Sequence, residues 1–149
     1  MKIYLTIFFS CLLLTSCLFG DNPSSSKRLT KDFWLNWFEY PGDRHILYSF
    51  SDKGDIGNYV VERTVFAVGF NDDFIIAKQH PEAGTDKYGK PIPNFDITNY
   101  YIVDIRNYES GNSNSFKVHR LNKNGYQIMR EYLDVPDDLT FSIIDTDLN

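Results

Sequence analysis

VFAVGFNDDFIIAKQH, residues 65–80, decides the fold. Two apolar runs flank Asn71-Asp72-Asp73, a short polar break of the kind that turns a hairpin, and Asn and Asp tolerate the positive φ that tight hairpin turns require. Val65 to Val68 is apolar on both faces, as in a strand near the centre of a sheet. Alternation in the second run puts Phe74, Ile76, Lys78 and His80 on one face and Ile75, Ala77 and Gln79 on the other. Pro81 cannot donate to a ladder and stops the strand.

On the N-terminal side, residues 59–70 read as one long strand and residues 44–50 as another, closed by Asp52-Lys53-Gly54-Asp55. Farther upstream lies the aromatic stretch FWLNWFEY, residues 33–40, ended by Pro41-Gly42. On the C-terminal side, residues 82–94 hold two glycines and two prolines and read as a long surface loop. Residues 100–105 and 116–121 form a second strand pair across Ser110-Gly111-Asn112. Helical periodicity appears once. Asn122 caps a segment in which Tyr126, Met129 and Leu133 share a face, with Ile128 and Tyr132 beside them, and Pro136 ends it. Residues 139–144 give a last short strand, and residues 145–149 are expected to fray. The fold class is α+β: a mostly antiparallel sheet of about five to six strands with one C-terminal helix packed on it.

The first residues carry a different signal. Lys2 precedes an apolar run, residues 3–14, of secretory-signal length and well short of the roughly 20 residues a spanning helix needs. Leu14-Thr15-Ser16-Cys17 then resembles the lipobox of bacterial lipoproteins. In such proteins the cysteine thiol takes a diacylglycerol and the peptide before it is removed. The expected organisation is a signal peptide over 1–16, a lipidated Cys17 with a flexible tether over 17–30, and one globular domain over 31–149. The chain has two cysteines, Cys11 and Cys17, so a mature domain built this way has neither free thiol nor disulfide. Cysteine catalysis and thiolate metal sites are thereby excluded.

Removing Lys2 with the leader takes the formal charge from −5 to −6. No basic block extends beyond Lys27-Arg28, which argues against nucleic acid as a partner. Metal-binding spacing is absent among His45, His80 and His119, and Asp52-Lys53-Gly54-Asp55-Ile56-Gly57 fails as a calcium loop because Ile56 stands at a ligand position. Asp72-Asp73 and Asp137-Asp138 fall at turns, where solvated aspartate is ordinary. There is no nucleophile elbow and no glycine-rich phosphate loop, so no catalytic residue, cofactor or metal is assigned.

The binding candidates are four. Lys78 and His80 end the central strand; a histidine there serves as a base or ligand contact, or bonds the neighbouring loop while Lys78 covers apolar surface with its stem. Trp34 and Trp37 suit a partner or carbohydrate surface, a membrane interface, or one edge of the core.

Three segments together resemble a family of small bacterial lipoproteins, the domain of unknown function 3997 family: VGFNDDFIIAKQHP (68–81), NYYIVD (99–104), and the helix with DVPDDL (134–139). With the lipobox and Tyr40-Pro41-Gly42 the resemblance covers most of the mature chain. The chain departs from it at Lys123-Asn124-Gly125, where such proteins open the helix with acidic residues. The resemblance implies lipidation and an envelope location, and carries no activity. Leu18 after the cysteine implies sorting to the outer membrane in a two-membrane bacterium. The expectation is an anchored, non-enzymatic domain that binds an envelope protein or component. The alternatives are an envelope hydrolase using His80 and an inhibitor or immunity-type lipoprotein.

Overall fold

The computed structural model describes residues 25–37 and 41–145. Residues 1–24, which include the leader, Cys17 and the first part of the expected tether, lie outside the described residues, as do residues 38–40 and 146–149. Strands β1 (Ser25–Thr30), β2 (Phe33–Trp37), β3 (His45–Tyr48) and β4 (Asn58–Val61) make one antiparallel sheet in that order. The chain continues through β5 (Val65–Phe70), β6 (Phe74–Gln79), β7 (Glu82–Thr85), β8 (Pro91–Pro93), β9 (Asn99–Asp104), β10 (Lys117–Leu121), α1 (Lys123–Tyr132) and β11 (Ile143–Ile144). A second antiparallel sheet runs β10-β9-β6-β5-β11, and β7 and β8 pair as a separate ribbon.

The hairpin of residues 65–80 is the centre of this arrangement. Ile75 and Ile76 are adjacent and both fully buried, so neither face of β6 meets water. Burying such a side chain is worth roughly 2 kcal/mol, and two on opposite faces demand a layer on each side. On one side, Val65, Val68, Ile75, Ala77, Tyr101 and Val103 meet Phe33, Leu35, Ile46, Tyr48 and Val61 of the first sheet. On the other, Phe74, Ile76 and Ile102 meet Tyr126, Leu133, Val135 and Leu139. The expected alternation along β6 therefore holds. The single sheet of five to six strands does not: the second face of the central sheet is covered by another sheet, whose strands add to the count.

Other differences have local causes. Residues 59–70 are two strands in different sheets, because Thr64 takes a φ of 70° and turns the chain between layers. Residues 25–30, assigned to the tether, pair with β2 through backbone bonds, and only Leu29 of that strand is buried. The 82–94 loop contains the β7–β8 ribbon. The last strand shrinks to Ile143–Ile144. In the central hairpin none of Asn71, Asp72 or Asp73 needs positive φ. The Asn71 side chain instead accepts from the amides of Asp73 at 2.9 Å and Phe74 at 2.8 Å, an Asx turn that closes the hairpin.

The helix starts at Lys123, one residue after its expected cap, and Asn122 Oδ1 accepts from the Gly125 amide at 2.8 Å. Tyr126 and Leu133 are buried against the sheet, while Ile128 and Tyr132 turn outward. Arg130 fastens the following segment by donating to the carbonyls of Pro136 at 2.6 Å and Leu139 at 3.1 Å.

Candidate functional site

The four binding candidates do not converge. Trp34 and Trp37 are three residues apart on β2 and so take opposite faces. Trp34 is 8% exposed beneath Gly54, whose φ of +64° brings the backbone so close that a Cβ would stand 2.3 Å from Trp34 Cδ2. Asn36 Nδ2 holds the same loop by donating to the Gly54 carbonyl at 2.5 Å. Trp37 packs against the core between the sheets, with the Arg44 guanidinium 5.4 Å from its ring. Arg44 in turn pairs with buried Asp145 at 2.9 Å.

Lys78 lies on the helix side of the central sheet, its ammonium 4.7 Å from the Phe141 ring and 5.7 Å from that of Tyr100. His80 is 6% exposed, stacked on Phe66 at 4.5 Å, with Nδ1 2.8 Å from the Ile97 carbonyl. His80 thus bonds the segment before β9, and Lys78 lies over aromatic surface. His45, fully buried on β3, meets Tyr59 edge-on at 4.9 Å, and His119 is half-buried on β10. Among the described residues no three His, Asp or Glu side chains gather where one cation could hold them.

A cleft of about 450 Å³ lies elsewhere, within the size range of small-ligand sites. Its walls are Tyr59 and Glu62 from β4 and its exit, Arg63, Gln79 at the end of β6, Pro81 and Glu82, Tyr101 on β9, and Arg120 on β10. Register explains the gathering. Arg120 stands opposite Tyr101, Tyr101 opposite Ala77, and Gln79 opposite both Val65 and Asn99, so one end of the central sheet supplies most of the floor. Glu62 and Arg63 arrive there because the chain changes sheets at Thr64.

That crossover is held tightly. Gln79 Nε2 donates to the Arg63 carbonyl at 3.0 Å, and Asn99 Nδ2 donates to Gln79 Oε1 at 2.9 Å. The Thr64 hydroxyl lies against the carbonyls of Arg63 and His80. A β-branched residue at φ 70° is strained, and this network is what holds it there. Arg63 binds Glu82 through two nitrogens, at 2.8 and 3.1 Å, and approaches Asp43 at 3.7 Å. Burial pushes the phenol pKa values of Tyr101 and Tyr59 upward, and pushes His45 below the usual imidazole value despite the raising effect of Asp43. The formally charged side chains lining the cleft are Glu62, Arg63, Glu82 and Arg120.

None of Tyr59, Glu62, Arg63, Tyr101 and Arg120 stood out in the sequence. The one available signal was Glu62-Arg63, a charged pair interrupting a run of strand-forming residues. Among the described residues no helix is long and apolar enough to cross a membrane.

A family model described as "Protein of unknown function (DUF3997)" matches residues 36–147. No curated protein and no solved structure gives a significant match.

Proposed function

The chain belongs to the DUF3997 family, proteins of unknown function, and from that footing we propose that it is an envelope lipoprotein whose domain binds rather than catalyses. The observation that carries the anchor is Leu14-Thr15-Ser16-Cys17 behind a charged and apolar leader of signal length. A single lipid chain holds a protein only marginally, so stable residence at the bilayer follows from the diacylglycerol and a further acyl group on the freed amine.

Eight residue steps separate Cys17 from Ser25, where the sheet begins. Even fully extended they reach no more than about 28 Å, so the domain works close to the membrane surface. The binding role is supported by the cleft, which has ligand-site dimensions and charged side chains at its rim. The hydrolase reading with His80 as base has less support, since that ring is 6% exposed and sandwiched beside Phe66 and Phe95. An inhibitor or immunity-type role is a special case of binding and shares the same surface.

Mass spectrometry of the full chain expressed in a bacterium tests the anchor. The expected mature protein begins at Cys17, carries a thioether-linked diacylglycerol, and sediments with membranes. Cys17→Ala is expected to leave the membrane fraction. A chain that keeps residues 1–16, or ends in an unmodified cysteine, would contradict the anchor.

A further inference from the structure

The cleft holds polar groups that the fold does not use. Arg63 and Glu82 satisfy each other, and both ends of the Gln79 amide are engaged. Arg120 and Glu62, both exposed, make no ion pair or side-chain hydrogen bond among the described residues. Neither do the hydroxyls of Tyr59 and Tyr101 find a hydrogen-bond partner there, although Tyr101 is 6% exposed. The free set is therefore one guanidinium, one carboxylate and two phenols.

Charge decides between ligand classes. Glu62 and Glu82 balance Arg63 and Arg120, so a simple anion gains little from the cleft as a whole. A neutral ligand leaves both free charges without a partner. A molecule with a cation at one end and an anion at the other uses both. Its length follows from the sheet. From β10 across β9 and β6 to β5, which Glu62 precedes by three residues in the chain, there are three interstrand steps of about 4.8 Å, or roughly 14 Å between backbones. The reach of the two side chains shortens that gap. An extended peptide covers about 3.4 Å per residue, so two to four residues bridge it.

We propose that the cleft binds a short peptide with free termini, its carboxylate on Arg120 and its ammonium at Glu62, its body over Tyr101 and Tyr59. This rests on reading the domain as a binding module and is independent of the anchor at Cys17. An arginine fork suits a terminal carboxylate, which it meets with two parallel bonds. The strained Thr64 crossover, wired to Gln79 and His80, fixes where Glu62 is presented.

Calorimetry on the detergent-solubilised full chain tests this, with tetra-alanine bearing free termini, its N-acetyl form and its C-terminal amide as probes. The free peptide is expected to bind, and each blocked form to bind about 10- to 100-fold more weakly. Arg120→Gln is expected to weaken the free peptide by a similar factor while leaving the amide unchanged, and Glu62→Gln to do the same relative to the N-acetyl form. Equal affinity for all three probes would overturn the inference, as would a wild type that ignores tetra-alanine at millimolar concentration. A lipidated chain that captures a partner in cells yet ignores the probes refutes the peptide and leaves the binding reading standing.

Discussion

Gly69 sits on β5 opposite Ile76, where the C-terminal segment crosses the sheet. A Cβ placed there would stand 2.1 Å from the Thr140 carbonyl oxygen and 3.1 Å from Ile76 Cγ1. Ordinary contact begins at 3.4 Å, so Gly69→Ala requires the segment to retreat by about 1.3 Å. The segment is not free to do so. Arg130 holds the Leu139 carbonyl at 3.1 Å, and the Ser142 amide donates to Val68 at 2.9 Å. Overpacking of this kind costs about 1–3 kcal/mol, and losing the Ser142 bond adds about 1 kcal/mol. The expected loss is therefore about 2–4 kcal/mol, or a Tm lower by about 10 °C for a domain of this size. Urea unfolding followed by tryptophan fluorescence reads it. Gly111→Ala is the control: its φ of +88° is strained for alanine, but nothing lies within 4 Å, so about 1 kcal/mol is expected. A Gly69→Ala protein within about 0.5 kcal/mol of wild type would refute the close crossing of Thr140 over β5.

Asp134 follows the helix at a φ of 55° and is exposed, so Asp134→Gly is expected to stabilise by about 0.5–1 kcal/mol in the same unfolding assay. Asp145→Asn leaves the Arg44 guanidinium without its buried partner and is expected to cost about 3 kcal/mol, with Trp37 emission changing because Arg44 covers that ring. The pKa of His45 is lowered in the folded state, chiefly by burial, so its contribution is whole above the unfolded value near 6.5 and is lost as pH falls toward the folded one. Stability measured from pH 7 down to pH 5 should decline, and His45→Gln should flatten that decline.

The central hairpin was readable because its residues obey local rules. Apolar side chains on both faces of residues 65–68, and alternation from Phe74 to Gln79, say that the strands are interior before any partner is known. What covers the second face could not be read. Its outermost strand, SSKRLT, is held by backbone pairing to β2 and buries only Leu29, so its composition looks like a tether. The break at Thr64 was hidden because threonine is a strand-forming residue and its positive φ is imposed from outside, by Gln79 and His80. Glu82–Thr85 and Pro91–Pro93 pair despite glycine and proline, which mark loops more often than ribbons. The cleft was illegible for a related reason. Tyr101 and Arg120 meet through a register between strands, Glu62 arrives through the crossover, and no spacing in the chain encodes that meeting. The aromatic and histidine candidates, conspicuous as residue types, went mostly into packing.

On the proposed reading of an anchored binding domain, in-cell cross-linking of the tagged full chain against Cys17→Ala looks for a partner at the membrane. The expected result is one dominant cross-linked protein, recovered with wild type and lost with the unanchored variant at equal expression. Abundant, lipidated wild type that cross-links to nothing above background, or that captures the same proteins with and without Cys17, would contradict it.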